Sequence, residues 1–81
     1  MSKRPVQKNI IGKRLAEARN GLEPALTQDA LSGKLAARGI LLDRAAIAKI
    51  ENNYRRVLDY ELKALADVLD VDVTWLLGGN K

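Results

Sequence analysis

The side chains that could do chemistry in this sequence are sorted first by what is missing. Its 81 residues include no histidine and no cysteine. That removes the commonest general base, the Ser-His pairing, and imidazole or thiolate metal ligation. Hydroxyls are scattered (Ser2, Thr27, Ser32, Thr74). The carboxylate run Asp67-x-x-Asp70-x-Asp72 lacks the glycine and terminal glutamate of a calcium loop. No catalytic or metal site and no cofactor is therefore expected. What remains is cationic and unevenly placed. Residues 1–56 hold twelve Lys or Arg against five acids, whereas residues 57–81 hold two against five. A basic front and an acidic back suit one surface that meets a polyanion and another that faces solvent or a partner. Uneven salt-bridging on a solvated surface would produce the same count, and charge alone does not choose.

The elements that must position these residues read as helices. Aromatic residues are only Tyr54, Tyr60 and Trp75, and few segments alternate with period two. A first helix is expected from Val6 to Arg19, started by Pro5 and stopped at Asn20-Gly21, with Ile11, Leu15 and Ala18 on one face. Thr27 has the chemistry of an N-cap for a second helix running to Arg38, with Leu31 and Leu35 inward and Gly39 ending it. Leu26 and Leu31 stand at the positions of a hydrophobic staple. Asp43 can cap a third helix whose buried face would be Ile47, Ile50 and Tyr54, closed by left-handed geometry at Asn52-Asn53. Asp59 is expected to cap a fourth helix carrying Leu62, Leu65, Ala66 and Leu69 inward, and Asp72 a last turn or two before Gly78-Gly79. The expectation is an all-α, compact five-helix bundle over residues 6–78, preceded by a basic arm (1–5) and followed by a short tail (79–81).

A chain of this length can support one small core. No apolar run reaches the roughly 20 residues that span a bilayer. The basic start Met1-Ser2-Lys3-Arg4-Pro5 is followed by no apolar stretch of the kind a signal peptide needs. A cytoplasmic protein without membrane contact is the expectation.

The stretch Leu26-Thr27-Gln28-Asp29-Ala30-Leu31, then Leu35, then Ile47-Ala48-Lys49-Ile50-Glu51-Asn52 resembles the phage-repressor type (Cro-like, XRE) helix-turn-helix family. Ile11-Gly12-Lys13-Arg14-Leu15 with Arg19 resembles its first helix, and the segments around Leu62–Ala66 and Val71–Leu77 its fourth and fifth. The resemblance covers residues 10–78 and implies the lambda-repressor-like fold, with the motif at helices 2 and 3. The chain departs from the family's tight turn: Leu35 and Ile47 stand twelve apart, an excess of about one helical turn plus a longer connection. The loop before Thr27 is also longer, and Ser32 replaces a small alanine.

The resemblance implies sequence-specific binding of double-stranded DNA by a transcriptional regulator, a repressor acting by operator occupancy. Thr27 and Gln28 would anchor a phosphate at the start of helix 2. Helix 3 would enter the major groove by its Asp43 end, presenting Arg44, Ala45, Ala46, Ala48 and Lys49. Arg44 and Lys49 can reach guanine O6 and N7, and alanine can contact a thymine methyl. Asn52, Asn53, Tyr54, Arg55 and Arg56 would face backbone phosphates. The plain alternatives are that Arg44 pairs with Asp43 or sits in solvent, that Lys49 is an ordinary exposed lysine, and that Arg55-Arg56 is a solvated turn. Lys3, Arg4 and Lys8 read as a basic tail, with a groove-binding arm as the alternative. The family pattern further implies a structural pair between Arg19 and Glu51. One reading helix covers too few base pairs to select a site, so a homodimer on a palindromic operator is expected, with Val71–Leu77 as its contact. No small-molecule effector is evident. The competing reading is a protein-interaction module of the same fold, an antitoxin or anti-regulator, using the acidic back.

Overall fold

The computed structural model describes residues 7–79. The expectations placed on Pro5, on the arm 1–5 and on Asn80-Lys81 lie outside them. Among the described residues the fold is all-α, with α1 Gly12–Asn20, α2 Gln28–Ala36, α3 Arg44–Glu51, α4 Asp59–Leu69 and α5 Val73–Leu76. Each helix contributes to one core: Leu15 from α1, Leu31 and Leu35 from α2, Ile47 and Ile50 from α3, Leu65 and Leu69 from α4, and Leu76 from α5. Leu42, in the connection before α3, completes it. Burying a side chain of this size contributes about 1.5–3 kcal/mol.

The two motif helices start as their sequences predict. Thr27 Oγ1 accepts from the Ala30 N–H at 3.0 Å, and Asp43 Oδ1 accepts from the Ala46 N–H at 2.8 Å. At the far end of α2 the regular helix stops at Ala36, but the closure reaches Arg38 as expected. Gly39 sits at φ +81°, the Ile40 N–H donates to the Leu35 carbonyl at 3.0 Å, and the Gly39 N–H donates to Ala36 at 2.9 Å. This left-handed closure gives the carbonyls of Leu35 and Ala36 the donors that the end of the helix denies them. The extra residues of the connection then continue toward α3, with Ile40 half-buried, Leu42 buried and Leu41 86% exposed.

Several boundaries differ from the sequence expectation. α1 starts at Gly12 rather than Val6, because Asn9 interrupts the helix. Its Oδ1 accepts from the N–H groups of Ile11 and Gly12, both at 3.0 Å, and so serves the free amides at the helix start. Its Nδ2 donates to the carbonyls of Ile50 (3.0 Å) and Arg55 (2.8 Å). Tyr54 does not line the buried face of α3; it lies beyond the helix end and is 57% exposed. Asn53 alone of the Asn52-Asn53 pair takes the left-handed turn, at φ +66°. At α4 the capping residue is Leu58, and Asp59 is the first helical residue. The Leu58 N–H donates to Glu61 Oε1 at 3.0 Å, so a carboxylate from the first turn reaches back to close the helix start. Asp72 stands at the N-cap of α5 as expected, yet its side chain makes no capping bond, and the helix is a single turn.

Gly12 marks where α1 meets the end of α3. A Cβ built there would lie 2.6 Å from the carbonyl oxygens of both Ile50 and Glu51. Gly12→Ala is therefore expected to destabilise the fold by about 1–3 kcal/mol, through forced backbone separation. Thermal melts check this; an unchanged midpoint would mean the two helices separate freely.

Candidate nucleic-acid interface

The third helix exposes a narrow face. Arg44, Ala45, Ala48, Lys49 and Asn52 fall within an arc of about 140° at 100° per residue, opposite Ile47 and Ile50. Arg44, Ala45, Lys49 and Asn52 are exposed and Ala48 is half-buried. Ala46 lies off this face. It is half-buried against the core, beside Ser32, Ala36, Leu41 and Leu42. Asn52 Nδ2 donates back to the Ala48 carbonyl at 2.9 Å, closing the helix.

The charged end of α3 is paired differently from the expected alternative. Asp43 is engaged as the cap, and the carboxylate facing Arg44 is that of Asp29 in α2, at 3.7 Å. Both side chains are largely exposed (69% and 71%). Thr27 is exposed, with its hydroxyl oxygen accepting the cap bond.

Three residues expected on the interface are hydrogen-bonded within the fold. The Gln28 side chain is not directed at a free anion site: its Nε2 donates to Glu51 Oε1 at 3.0 Å. Asn53 Nδ2 donates to Asn9, to the backbone O and to Oδ1, both at 3.1 Å. Arg55 donates through Nη1 and Nη2 to the Glu61 carboxylate (3.0 and 3.2 Å) and through Nη1 to the Arg56 carbonyl at 2.7 Å. The reason is common to all three. Buried carboxylates and carbonyls left without donors cost more than a solvated side chain gains, so these groups are drawn inward. Arg56 and Tyr54 remain exposed. They share a shallow cleft with Lys8, whose backbone N–H donates to the Asn53 carbonyl at 2.9 Å. The sequence groups Lys8 with the basic tail; the Asn9 contacts that bring it beside Arg56 obey no spacing rule.

The expected Arg19–Glu51 pair is present and nearly buried, with side chains 13% and 9% exposed. Arg19 Nε and Nη2 donate to the two carboxylate oxygens at 2.7 and 3.0 Å, and Nη1 donates to the Leu26 carbonyl at 2.9 Å. The bond to Glu51 holds the Arg19 guanidinium above its usual range, against the opposing effect of burial. Glu61 is balanced similarly. Burial pushes its carboxyl up, but the bonds from Arg55 and from the Leu58 N–H outweigh it and hold the group below the usual carboxylate range.

Removing one partner of a buried pair costs about 3–5 kcal/mol, so Glu51→Ala should melt far below the parent protein. A loss under about 1 kcal/mol would place the pair with ordinary surface bridges. Because the Glu61 carboxyl is lowered in the folded state, its contribution is complete above the carboxylate range and is lost as pH falls through the folded value. The acid-induced loss of stability of Glu61→Gln should therefore be shallower than that of the parent; parallel curves would count against the Arg55–Glu61 bond.

Among the described residues, no helix is long and apolar enough to cross a membrane. The family model described as "Helix-turn-helix" matches residues 15–76. Comparisons with curated proteins and with solved structures find no match. The family match spans both capped motif helices and the elements packed on them. The chain thus belongs to the Cro-like (XRE) helix-turn-helix family of DNA-binding, non-enzymatic transcriptional regulators, with their lambda-repressor-like five-helix fold.

Proposed function

We propose that this protein is a cytoplasmic repressor that occupies a palindromic operator in double-stranded DNA as a two-fold homodimer. The observation that carries the reading is the slim cationic face of α3, Arg44-Ala45 with Lys49, free of large apolar side chains and open at its N-terminal end. An α-helix of this profile enters a major groove, where Arg44 donates to guanine and Ala45 lies against a thymine methyl. On one side, the first turn of α2 with Thr27 offers amides to a phosphate. On the other, Lys8, Tyr54 and Arg56 supply donors to the backbone. Lys49, five residues beyond Arg44, reaches the groove edge.

A second copy would meet the C-terminal segment and the groove beside it. Leu76 is buried in the core, and Val71, Val73 and Trp75 pack against it, so the C-terminal segment offers chiefly Leu77, 44% exposed. Leu77 borders a groove with Ile10, Val57 and Leu62 that Lys8 and Arg56 also line, so a second copy seated there would lie beside the DNA-facing cations. The second reading, a protein-binding module, is favoured by an open cleft that Asp67, Asp70, Asp72 and Trp75 line together with Arg38, which pairs with Asp67 at 3.5 Å.

Selection of duplexes from a random pool separates the readings. Enrichment of a palindrome, with two chains per site in sedimentation, is expected; enrichment of nothing favours the protein-binding module. Log K should fall against log salt with a slope of roughly −4 to −5 per protomer, for about five phosphates met. Arg56→Ala should flatten that slope by about one without lowering stability. Arg55→Ala should instead destabilise the fold, because Glu61 would lose its guanidinium. An unchanged slope in Arg56→Ala would remove this loop from the DNA surface.

A further inference from the structure

An exposed carboxylate lies where the operator reading puts a polyanion. Asp29 Oδ2 is 3.7 Å from Arg44 Nη1, so any DNA that Arg44 reaches lies close to Asp29 as well. The separation exceeds hydrogen-bond length, and both side chains are exposed. An ion pair so solvated contributes little to holding α2 against α3. Asp29 also stands in the first turn of α2, where a negative charge suits the helix dipole. Any acid in that turn would serve the dipole, whatever its position relative to Arg44.

From this juxtaposition we infer that Asp29 is a positioning and specificity-determining residue, which orients the Arg44 guanidinium so that it reads guanine in preference to phosphate. The inference rests on the operator reading above. A guanidinium carries five N–H donors in a planar fork. Nη1 is the nitrogen nearest Asp29, which leaves the Nε–Nη2 edge to form two parallel bonds with guanine O6 and N7. Arg44 can keep Asp29 neutralised while it reads the base in front of α3. To reach a phosphate on the groove wall away from α2 it must swing away from Asp29 and leave that carboxylate facing the polyanion. The pair therefore opposes sequence-independent contacts and is compatible with one base contact. Lys49 has no carboxylate within salt-bridge distance among the described residues, so the device acts on one position of the half-site.

The test uses the full chain, a duplex selected by the parent protein, single-base variants of it and a random duplex. Asp29→Asn should bind the random duplex about threefold or more tighter, because a charge that repels phosphate is gone. It should also lose about fivefold in guanine discrimination at the Arg44 position, while other positions keep their preferences. Thermal melts of Asp29→Asn report the dipole contribution separately. In an Arg44→Ala background, Asp29→Asn should change no base preference. If Asp29→Asn keeps the parental discrimination, or if it alters base preference equally without Arg44, the inference is overturned while the operator reading stands. If the parent protein selects no sequence at all, the operator reading fails and takes the inference with it.

Discussion

The carboxylate of Glu51 ties the first three helices together. It belongs to the last residue of α3, and it receives Arg19 from α1 and Gln28 from the first turn of α2. Arg19 in turn holds the Leu26 carbonyl in the loop that leads into α2. A carboxylate this buried is tolerable only when both its oxygens have donors, and three donors from two other helices serve them. The direction of α3 relative to α1 and α2 is thereby constrained at its C-terminal end. Its N-terminal end is held separately, by Leu42 and Ile47 in the core and by the Asp43 cap.

A second cluster, centred on Asn9, fixes the loop beyond α3. One side-chain amide caps α1 and satisfies carbonyls at the end of α3 and in that loop. The same contact requires Gly12, since any Cβ there meets two α3 carbonyls. Together these sort the cations by role. Arg19 and Arg55 neutralise buried carboxylates, and Arg14 donates to the carbonyls of Trp75 and Gly79 with its guanidinium 4.9 Å from the Trp75 ring centroid. Lys8, Lys13, Lys34, Arg38, Arg44, Lys49 and Arg56 remain at the surface. The basic excess of residues 1–56 is thus partly internal, and the surface that can meet a polyanion is smaller than the charge count suggests.

The long connection between α2 and α3 packs against the core and leaves both motif helices with capped starts. Its extra residues complete a left-handed closure at Gly39 and then add a stretch that contributes Leu42 to the core. Both helix starts keep their side-chain caps. The insertion therefore lengthens the path between two helices whose relative placement is set by core contacts and by Glu51.

The features legible in the sequence are those that depend on local chemistry. Thr27 and Asp43 read as caps because a hydroxyl or carboxylate before a helical pattern has free amides to accept from. Gly39 reads as a stop because a left-handed glycine ends a helix cheaply. Helical periodicity places Leu15, Leu31, Leu35, Ile47, Leu65 and Leu69 inside, and the family resemblance supplies Arg19–Glu51. Which polar side chains the fold consumes is settled by packing alone. Gln28, Asn53 and Arg55 look from the sequence like free donors, but each is drawn to an acceptor between 6 and 44 residues away. The Asn9 side chain likewise delays the start of α1 through bonds that depend on where α3 stops. Hydrogen-bond satisfaction of buried groups is a property of packed helices, and helical periodicity, which records only the apolar face, carries no trace of it.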